Sequence, residues 1–315
     1  MSLLFCVDGP HVLHRASHAQ GELTYERHGV THRVGGCYGF LQMIRLAHMR
    51  LGDGDAMTIV AWEDPERARR SWRRSLYHEY KRRPQPDEVN FGTIDYRTFV
   101  REQQELLGPI LASIGVPQAY APWYEADDVL ATLVGQAGDH EVVLFTGDKD
   151  MFSLVSDRVG VMRPLKEGYQ LLTPTVWAEE HTLAPSRWAE VLALMGDTSD
   201  NIPGVMGVGP KVAEKLIGEH GSLEGVIEAA QAGRVKRFSE GVVKDGVQQK
   251  GIKAMADQLR LNLQLTTLNG QVDLTWTRPQ RDERKVQQAF REMKMHSFTS
   301  HPDLQSVLAM GTDAW

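Results

Sequence analysis

The chain has 315 residues, of which 42% are hydrophobic, so it can bury a sizeable core and its length suits two domains. No stretch approaches the roughly 18 consecutive apolar residues of a membrane span, and the first residues lack the basic segment and cleavage site of a signal peptide. The two cysteines form neither a disulfide framework nor a zinc-binding pattern. Membrane-spanning and disulfide-rich secreted classes are therefore excluded, and we expect a cytoplasmic protein.

A formal net charge of −6 would argue against a nucleic-acid ligand, because phosphates need a basic surface. The positive charges, however, are concentrated between residues 67 and 83, where Glu79 is the one acidic residue. The basic residues there are Arg67, Arg69, Arg70, Arg73, Arg74, Lys81, Arg82 and Arg83. This run predicts either a DNA-binding surface or an ordinary solvated helix face.

Strand-like and helix-like segments alternate through the first half of the chain. Apolar runs at residues 3–7, 57–62 and 141–145 predict buried strands, with a fourth strand at 160–163. Helical spacing predicts helices at 35–51, 97–114 and 125–136. This alternation predicts an α/β fold with a mostly parallel central sheet, followed after residue 173 by helices joined by glycine-rich turns.

Three predicted strands are followed by a carboxylate, at Asp8, Asp64 and Asp148. Ligands bind outside the carboxyl ends of strands in open parallel sheets, so these side chains are expected to share one crevice. Further carboxylates occur in short clusters nearby, at Glu125, Asp127, Asp128, Asp150, Asp197 and Asp200. Any single cluster would more often be a turn or a helix cap, but the set together predicts a shared site.

Nine carboxylates in one crevice would repel one another unless cations compensate their charge. Hard oxygen ligands favour Mg²⁺, with Mn²⁺ able to substitute, and we predict two or more ions. Without these nine groups, the 41 acidic residues fall to 32 against 35 basic ones, so the rest of the chain carries a balance of +3. The histidines show no paired metal-binding spacing, and His11, His14 and His18 are interpreted as polar surface residues.

Four motifs in chain order resemble the flap endonuclease / 5′-3′ exonuclease family, which includes phage 5′-exonucleases and the 5′-nuclease domain of bacterial DNA polymerase I. They are VDG at Asp8, EADD at Glu125, TGDKD at Asp148, and GDTSDNIPGVMGVGPKVAEKLI from Gly196. The resemblance covers residues 3–295. It implies a PIN-like 5′-nuclease fold with a helical arch and a helical helix-hairpin-helix region.

The resemblance also implies the roles of the candidate site residues. A first metal cluster would contain Asp8, Asp64, Glu125, Asp127 and Asp128, and a second Asp148, Asp150, Asp197 and Asp200. Either Glu63 or Asp64 could be the ligand after the second strand. Lys81 would contact the scissile phosphate, and Asp148 belongs to the catalytic set. The family often has a second basic residue three positions after this lysine, but Pro84 stands there, so Arg82 or Arg83 would have to serve.

Residues 204–216 resemble a helix-hairpin-helix DNA clamp. Gly207 and Gly209 would let the backbone approach a phosphate closely, with Lys211 and Lys215 on the same face. Arg70 and Arg73, with Lys81, Arg82 and Arg83, complete the predicted DNA-binding residues. In this family the hairpin often holds K⁺, so a K⁺ site is included among the cofactor expectations.

The predicted organisation is an α/β nuclease core at 1–172 with an arch at about 82–101, a helix-hairpin-helix region at 173–295, and a tail at 296–315. The implied activity is structure-specific 5′-flap endonuclease and 5′-3′ exonuclease cleavage of DNA by two metal ions. The implied partner is DNA with a free 5′ end at a flap, nick or junction, RNA-primed strands included, bound by a monomer in a bacterial cytosol or phage-infected cell. A PIN-type ribonuclease and a non-catalytic junction-binding protein are the alternatives.

Overall fold

The structure is a computed structural model that describes residues 3–52, 56–64, 71–82, 90–91, 94–244, 247–300 and 307. A seven-stranded sheet in the order β10-β9-β8-β1-β4-β7-β13 forms its centre. The five inner strands of the sheet are parallel, and both edge strands are antiparallel to their neighbours. Its strands are β1 (Leu3–Asp8), β4 (Ala56–Ala61), β7 (Gln118–Tyr120), β8 (Glu141–Phe145), β9 (Val159–Pro164), β10 (Tyr169–Leu172) and β13 (Thr275–Thr277).

In the described ranges, three two-stranded hairpins lie outside this sheet. Their strands are β2 (Thr24–Arg27) with β3 (Val30–Arg33), β5 (Asn90–Phe91) with β6 (Ile94–Asp95), and β11 (Val242–Lys244) with β12 (Val247–Gln249). The helices are α1 (Gly9–Gln20), α2 (Gly35–Arg50), α3 (Trp72–Leu76), α4 (Tyr96–Ile114), α5 (Ala126–Gln136), α6 (Pro174–Glu180), α7 (Trp188–Met195), α8 (Pro210–His220), α9 (Leu223–Gln231), α10 (Ile252–Thr266) and α11 (Glu283–Glu292). None of the described helices is long and apolar enough to cross a membrane.

Alternate side chains of β1 feed two hydrophobic cores, one on each face of the sheet. Leu4 and Cys6 pack towards the core that continues into the later helices, whereas Phe5 and Val7 pack towards the core formed with α1, α2, α4 and α11. Both faces of the parallel sheet are thus covered, as parallel sheets require. Side chains that follow the carboxyl ends of the inner strands therefore lie at one edge of the sheet, outside the two cores.

Local signals explain where the helices flanking this edge begin. Asp8 ends β1 and caps α1, because its carboxylate accepts a hydrogen bond from the N–H of His11 at 3.1 Å. Pro10 occupies the first turn of α1, where a missing N–H costs nothing. Helix α4 is capped by Asp95 and ends at Gly115, whose φ of 100° favours glycine. Asp8 thus lies at the junction where β1 ends and α1 begins.

After α10 the chain leaves the helical region and returns to the α/β region. Strand β13 pairs with β7 at one edge of the sheet, and α11 packs against α4. The strand-like segment near Trp276 is thus an edge strand of the main sheet. The division at residue 173 remains a prediction, and of the arch at 82–101, residues 83–89 and 92–93 lie outside the described residues. Residues 96–101 are the first turns of α4.

Candidate active site

Two neighbouring strands bring Asp8 and Asp148 to the same edge of the sheet. Val7 of β1 lies beside Phe145 of β8, so the residues that follow each strand are close. The Thr146 hydroxyl donates to Asp8 Oδ2 at 2.7 Å and accepts the N–H of Asp148 at 3.0 Å. Asp148 Oδ1 then accepts the N–H of Asp150 at 3.1 Å, which caps a short 3₁₀ turn. One threonine thus connects the Asp8 carboxylate to the backbone of Asp148.

The start of α5 adds two more carboxylates to this edge. Asp127 interacts electrostatically with Asp148, Asp8 and Glu125, and Glu125 is only 2% exposed. Burial raises the pKa of Asp127 well above its ordinary value, and the Asp148 charge raises it further while Lys81 opposes the shift. The first turn of α5 therefore faces the same crevice as the strand ends.

The helical region contributes the turn between α7 and α8. Asp197 Oδ1 accepts the N–H groups of Ser199 at 2.7 Å and Asp200 at 3.3 Å. Burial raises the pKa of Asp200, Lys81 lowers it, and the charge of Glu125 raises it again. Asp200 also interacts with Asp148, so both regions of the chain supply carboxylates to one crevice.

Lys81 lies among these carboxylates. Its ammonium is 3.2 Å from Glu125 Oε2 and 3.5 Å from Asp200 Oδ2, and its backbone N–H donates to the Asp200 carbonyl at 2.8 Å. Burial alone would lower the pKa of Lys81, but Glu125, Tyr80 and Asp200 hold it well above its ordinary value. A φ of 49° at Lys81 is a left-handed conformation, which functional sites often retain in non-glycine residues.

Tyr80 contacts the same two carboxylates as Lys81. Its hydroxyl donates to Glu125 Oε2 at 2.9 Å and is 3.1 Å from Asp200 Oδ2. The guanidinium of Arg74 holds the carbonyls of Tyr80 and Lys81, both at 3.3 Å. The 77–82 segment is thereby attached to both halves of the crevice.

The structure corrects two predicted residues, Asp128 and Arg73, which form a buried bidentate ion pair. Arg73 Nη1 and Nη2 donate to the two Asp128 oxygens at 2.7 and 2.9 Å. Trp72 Nε1 and the N–H of Asn269 each donate to Asp128 at 2.9 Å. Because four donors use its oxygens, Asp128 is an anchor between helices and not a metal ligand. Arg73 is 2% exposed, so it does not belong to a DNA-binding surface.

Asp64 lies three residues beyond β4 and is 9% exposed. Its Oδ2 accepts the N–H of Trp123 at 2.8 Å, which places it beside the loop that leads into Glu125. Glu63 is partly buried in the same loop, so the choice of ligand between Glu63 and Asp64 remains open. The other seven predicted carboxylates lie close enough to interact electrostatically with one another. They are Asp8, Glu125, Asp127, Asp148, Asp150, Asp197 and Asp200.

The charge state of this crevice fits divalent cations. Burial raises the pKa of Asp150 well above its ordinary value, and the charges of Asp148 and Asp200 raise it further. Burial also raises the pKa of Asp8. Among the described residues no three such groups already stand at ion-binding distances from one another. Lys81 and Arg73 both contact Glu125, Arg73 Nη1 at 3.4 Å from its Oε2, and an all-oxygen donor set suits Mg²⁺ or Mn²⁺.

The remaining basic residues predicted near Lys81 are Arg70, Arg82 and Arg83. Arg70 and Arg83 lie outside the described residues. Arg82 is 60% exposed and forms an ion pair with Glu79 at 2.6 Å. Its position next to Lys81 is compatible with the predicted DNA contact.

The predicted helix-hairpin-helix lies between α7 and α8. Gly207 has a φ of 79°, a conformation that favours glycine, and a Cβ there would be 3.5 Å from Phe238. Gly209 caps α8 and would have open space around a Cβ. Lys211 and Lys215 are exposed on the first turns of α8, with Lys215 3.8 Å from Glu219. An exposed helix start with nearby lysines can receive a phosphate group.

Sequence reasoning missed several residues of the site. The resemblance places Tyr80 with Lys81 at the base of the arch, but does not predict its bond to Glu125; Thr146, which bonds Asp8, and Arg74, which holds the carbonyls of Tyr80 and Lys81, were not predicted in these roles. His11 was interpreted as a surface residue, but its ring lies against Gly147 and interacts with Asp8. His14 and His18 are exposed and contact Tyr96.

An acidic crevice at the carboxyl edge of a parallel sheet, joined to a hairpin module, is the arrangement of metal-dependent nucleases. The chain belongs to the 5′-3′ exonuclease family. Residues 3–182 match the model of the 5′-3′ exonuclease N-terminal resolvase-like domain, and residues 183–289 match the 5′-3′ exonuclease C-terminal SAM fold. The predicted family and fold class are thereby confirmed.

Relatives of known sequence include two thermostable DNA polymerases I. That of Thermus aquaticus is 39% identical over 226 residues, which cover 70% of this chain and 24% of the polymerase. That of Thermus thermophilus is 36% identical over 272 residues, 85% of this chain and 29% of the polymerase. The chain therefore spans about a quarter of the length of these relatives.

Solved structures share the fold across most of the chain. A bacteriophage T5 flap endonuclease in complex with DNA and metal ions has a TM-score of 0.57 and 19% identity, with 97% of this chain and 99% of that one covered. Human GEN1 in complex with Holliday junction DNA has a TM-score of 0.57 and 18% identity, with 98% and 71% covered. At these identities the matches bear on the fold.

Proposed function

We propose that the protein is a structure-specific 5′-nuclease that hydrolyses DNA as a 5′-flap endonuclease and 5′-3′ exonuclease in replication or repair. The observation that carries the proposal is the convergence of seven carboxylates and Lys81 from both regions of the chain. Family membership and the fold shared with DNA-bound nucleases support it.

The carboxylates Asp8, Glu125, Asp127, Asp148, Asp150, Asp197 and Asp200 would hold two or more Mg²⁺ ions, which Mn²⁺ could replace. When bound, such ions activate water and neutralise charge on the transferring phosphoryl group. A bacteriophage T5 5′-exonuclease with bound divalent zinc ions, and T5 structures with metal ions, support a divalent cation in this fold. The residues of this chain orient that chemistry, since Thr146 aligns Asp8 with Asp148.

Lys81 would bind the scissile phosphate. Its ammonium stands 3.2 Å from Glu125, beside the carboxylates that would hold the ions. From this position the ammonium would stabilise charge that develops on the phosphate oxygens. Arg82 and Arg83 are adjacent candidates for further contacts with the same strand.

The proposed substrate is DNA with a free 5′ end at a flap, nick or junction, and RNA-primed strands belong to the same proposal. The start of α8 would hold the duplex through its backbone, which carries no base sequence information. A K⁺ ion at the hairpin, action as a monomer and a cytoplasmic location complete the proposal.

Cleavage of doubly end-labelled 5′-flap, nicked-duplex and single-stranded DNA tests this function, with Mg²⁺ or EDTA present. We expect Mg²⁺-dependent cutting near the junction, and we expect Asp148→Asn to reduce the rate at least 100-fold while flap binding persists. Asp257→Asn is the matched control, because the Asp257 side chain is fully exposed on α10. If the wild type binds the flap with Mg²⁺ yet cuts none of the DNAs, the assignment fails, and RNA cleavage or a binding role takes its place.

A further inference from the structure

A short segment after α9 carries three exposed positive charges that the predicted site does not include. Arg234, Lys236 and Arg237 are all exposed, and the single carboxylate between residues 234 and 240 is Glu240, which forms an ion pair with Lys253. In the described part of the chain, none of the three cations is within ion-pair distance of a carboxylate. We call Arg234, Lys236 and Arg237 the basic patch.

Buried residues between these cations fix the patch onto the helical region. Val235 is 6% exposed and belongs to the core, and Ser239 is 3% exposed. The N–H of Arg234 donates to the Ala229 carbonyl at 2.8 Å, and the Phe238 carbonyl accepts from Ile252 at 2.9 Å. The segment is therefore attached to α9 on one side and to α10 on the other, so its charges have a defined position.

One phenyl ring joins the patch to the helix-hairpin-helix turn. The Arg237 guanidinium lies over the Phe238 ring, 4.6 Å from its centroid. The same ring lies 3.5 Å from where a Cβ on Gly207 would stand. Phe238 keeps this place despite a left-handed φ of 71°, which disfavours a bulky side chain. The hairpin turn and the patch are thus adjacent parts of one surface.

We infer that the basic patch binds the phosphate backbone of duplex DNA and extends the contact made by the hairpin and the start of α8. Exposed arginines and lysines in fixed positions bind phosphates by charge and by hydrogen bonds, without reading bases. The patch adjoins Gly207 through the Phe238 ring, and Lys211 follows Gly207 in the first turn of α8, so the inference adds the patch to the hairpin's contact with the duplex. This inference rests on the proposed function, because it assumes that the hairpin faces DNA.

The salt dependence of binding tests the inference without any cleavage. Each phosphate contact with B-form DNA contributes about 0.9 to the slope of log affinity against log salt. We expect the triple variant R234A/K236A/R237A to make this slope shallower by roughly 1 to 3, and to weaken duplex binding about tenfold or more at moderate salt. Binding is measured by anisotropy in EDTA with a labelled duplex, a 5′-flap DNA and a single strand.

The matched control removes three exposed cations from the other side of the molecule. R284A/R291A/K294A changes two residues of α11 and Lys294, the second residue after it, and α11 packs on α4. We expect this control to keep the wild-type slope. Both triples alter exposed side chains only, and circular dichroism and melting temperature verify that both fold.

Equal slopes for the two triple variants would overturn the inference. So would a loss restricted to the single strand, because the patch would then not serve the duplex. In flap cleavage with Mg²⁺, measured over a range of DNA concentrations, the patch variant should keep the wild-type kcat and show a raised KM. A wild type that binds with a steep salt slope but never cuts would contradict the proposed nuclease function while leaving the patch intact, so the two failures are distinguishable.

Discussion

Thr146 shows how one uncharged residue can organise an acidic crevice. Its hydroxyl hydrogen goes to Asp8, which fixes a carboxylate after β1, and its oxygen accepts the N–H of Asp148, which fixes the turn after β8. Residues that orient metal ligands commonly change metal affinity or activity by about 10- to 100-fold when they are lost. Thr146 is therefore a positioning residue whose loss should change both metal binding and activity.

We expect Thr146→Val to lower both Mg²⁺ affinity and kcat by about 10- to 100-fold, because valine keeps the shape but removes both hydrogen bonds. Thr146→Ser keeps the hydroxyl and is expected to remain close to wild type. Mg²⁺ titration of flap cleavage measures the effect. An unchanged Mg²⁺ requirement in the valine variant would show that Thr146 does not position the ligands.

At the scale of elements, the Arg73–Asp128 pair holds the short helix α3 against α5 and α10. Besides its two bonds to Asp128, Arg73 donates from Nε to the Leu265 carbonyl at 2.8 Å. A five-residue helix has little stability of its own, so this anchor determines where the following 77–82 segment and Lys81 lie. Removing Asp128 would leave the buried Arg73 charge with only its longer contact to Glu125 Oε2 at 3.4 Å.

We expect Asp128→Leu alone to lower the free energy of unfolding by about 3–5 kcal/mol, because Arg73 stays buried and charged. The double variant with Arg73→Met should recover a large part of that loss, since replacing both partners removes the uncompensated charge. Urea denaturation of wild type, both single variants and the double variant gives the coupling energy. Additive losses would contradict the ion-pair interpretation.

Helix α8, which begins at the hairpin, is held by a buried carboxylate. Glu214 accepts hydrogen bonds from His181 Nδ1 at 2.7 Å, the Thr182 N–H at 2.8 Å and its hydroxyl at 3.0 Å. Burial alone would raise the pKa of Glu214, but these hydrogen bonds and the His181 charge lower it below its ordinary value of 4.5. The ionised carboxylate therefore stabilises the folded state above that value, and this contribution is lost as the pH falls below it.

We expect Glu214→Gln to lower the free energy of unfolding at pH 7 by about 1–3 kcal/mol. The difference from wild type should narrow as the pH falls from about 5 to 3, because wild-type Glu214 then becomes protonated. Glu219→Gln is the control on the same helix, since the Glu219 side chain is 53% exposed. Chemical denaturation at several pH values measures the gap, and a gap independent of pH would contradict the prediction.

At the scale of the whole molecule, the crevice joins the two regions of the chain. Asp8, Asp127 and Asp148 come from the α/β region, whereas Asp197 and Asp200 come from the helical region. Their mutual repulsion opposes closure of the crevice, and Lys81 compensates only part of it. Cations bound between the regions would therefore stabilise the folded state as a whole.

We expect Mg²⁺ at about 100 times its dissociation constant to stabilise the protein by about 2.7 kcal/mol, because the ions bind the folded state. Thermal melts with MgCl₂ and with NaCl at equal ionic strength separate this effect from screening. Asp148→Asn should lose most of the Mg²⁺-specific increase. An equal increase with both salts would mean that no specific metal site forms.

Much of the fold could be predicted from local sequence. The strands at 3–7, 57–62 and 141–145 and the helix at 97–114 lie close to their observed bounds, because continuous apolar runs and helical spacing depend on neighbouring residues only. Helix α1 and strand β7 were missed. Three of the ten residues that follow Gly9 and Pro10 in α1 are histidines, and β7 has three residues, too few to show a period.

The sequence by itself determined that carboxylates follow strand ends and helix starts, since strand direction places them at one edge of the sheet. Only the tertiary structure decided which of them face the crevice. Asp127 and Asp128 are neighbours in one motif. The rotation of about 100° per helical residue nevertheless turns Asp127 towards Asp148 and Asp128 towards Arg73. Arg73 lies 55 residues away in the chain, and only packing brings it there.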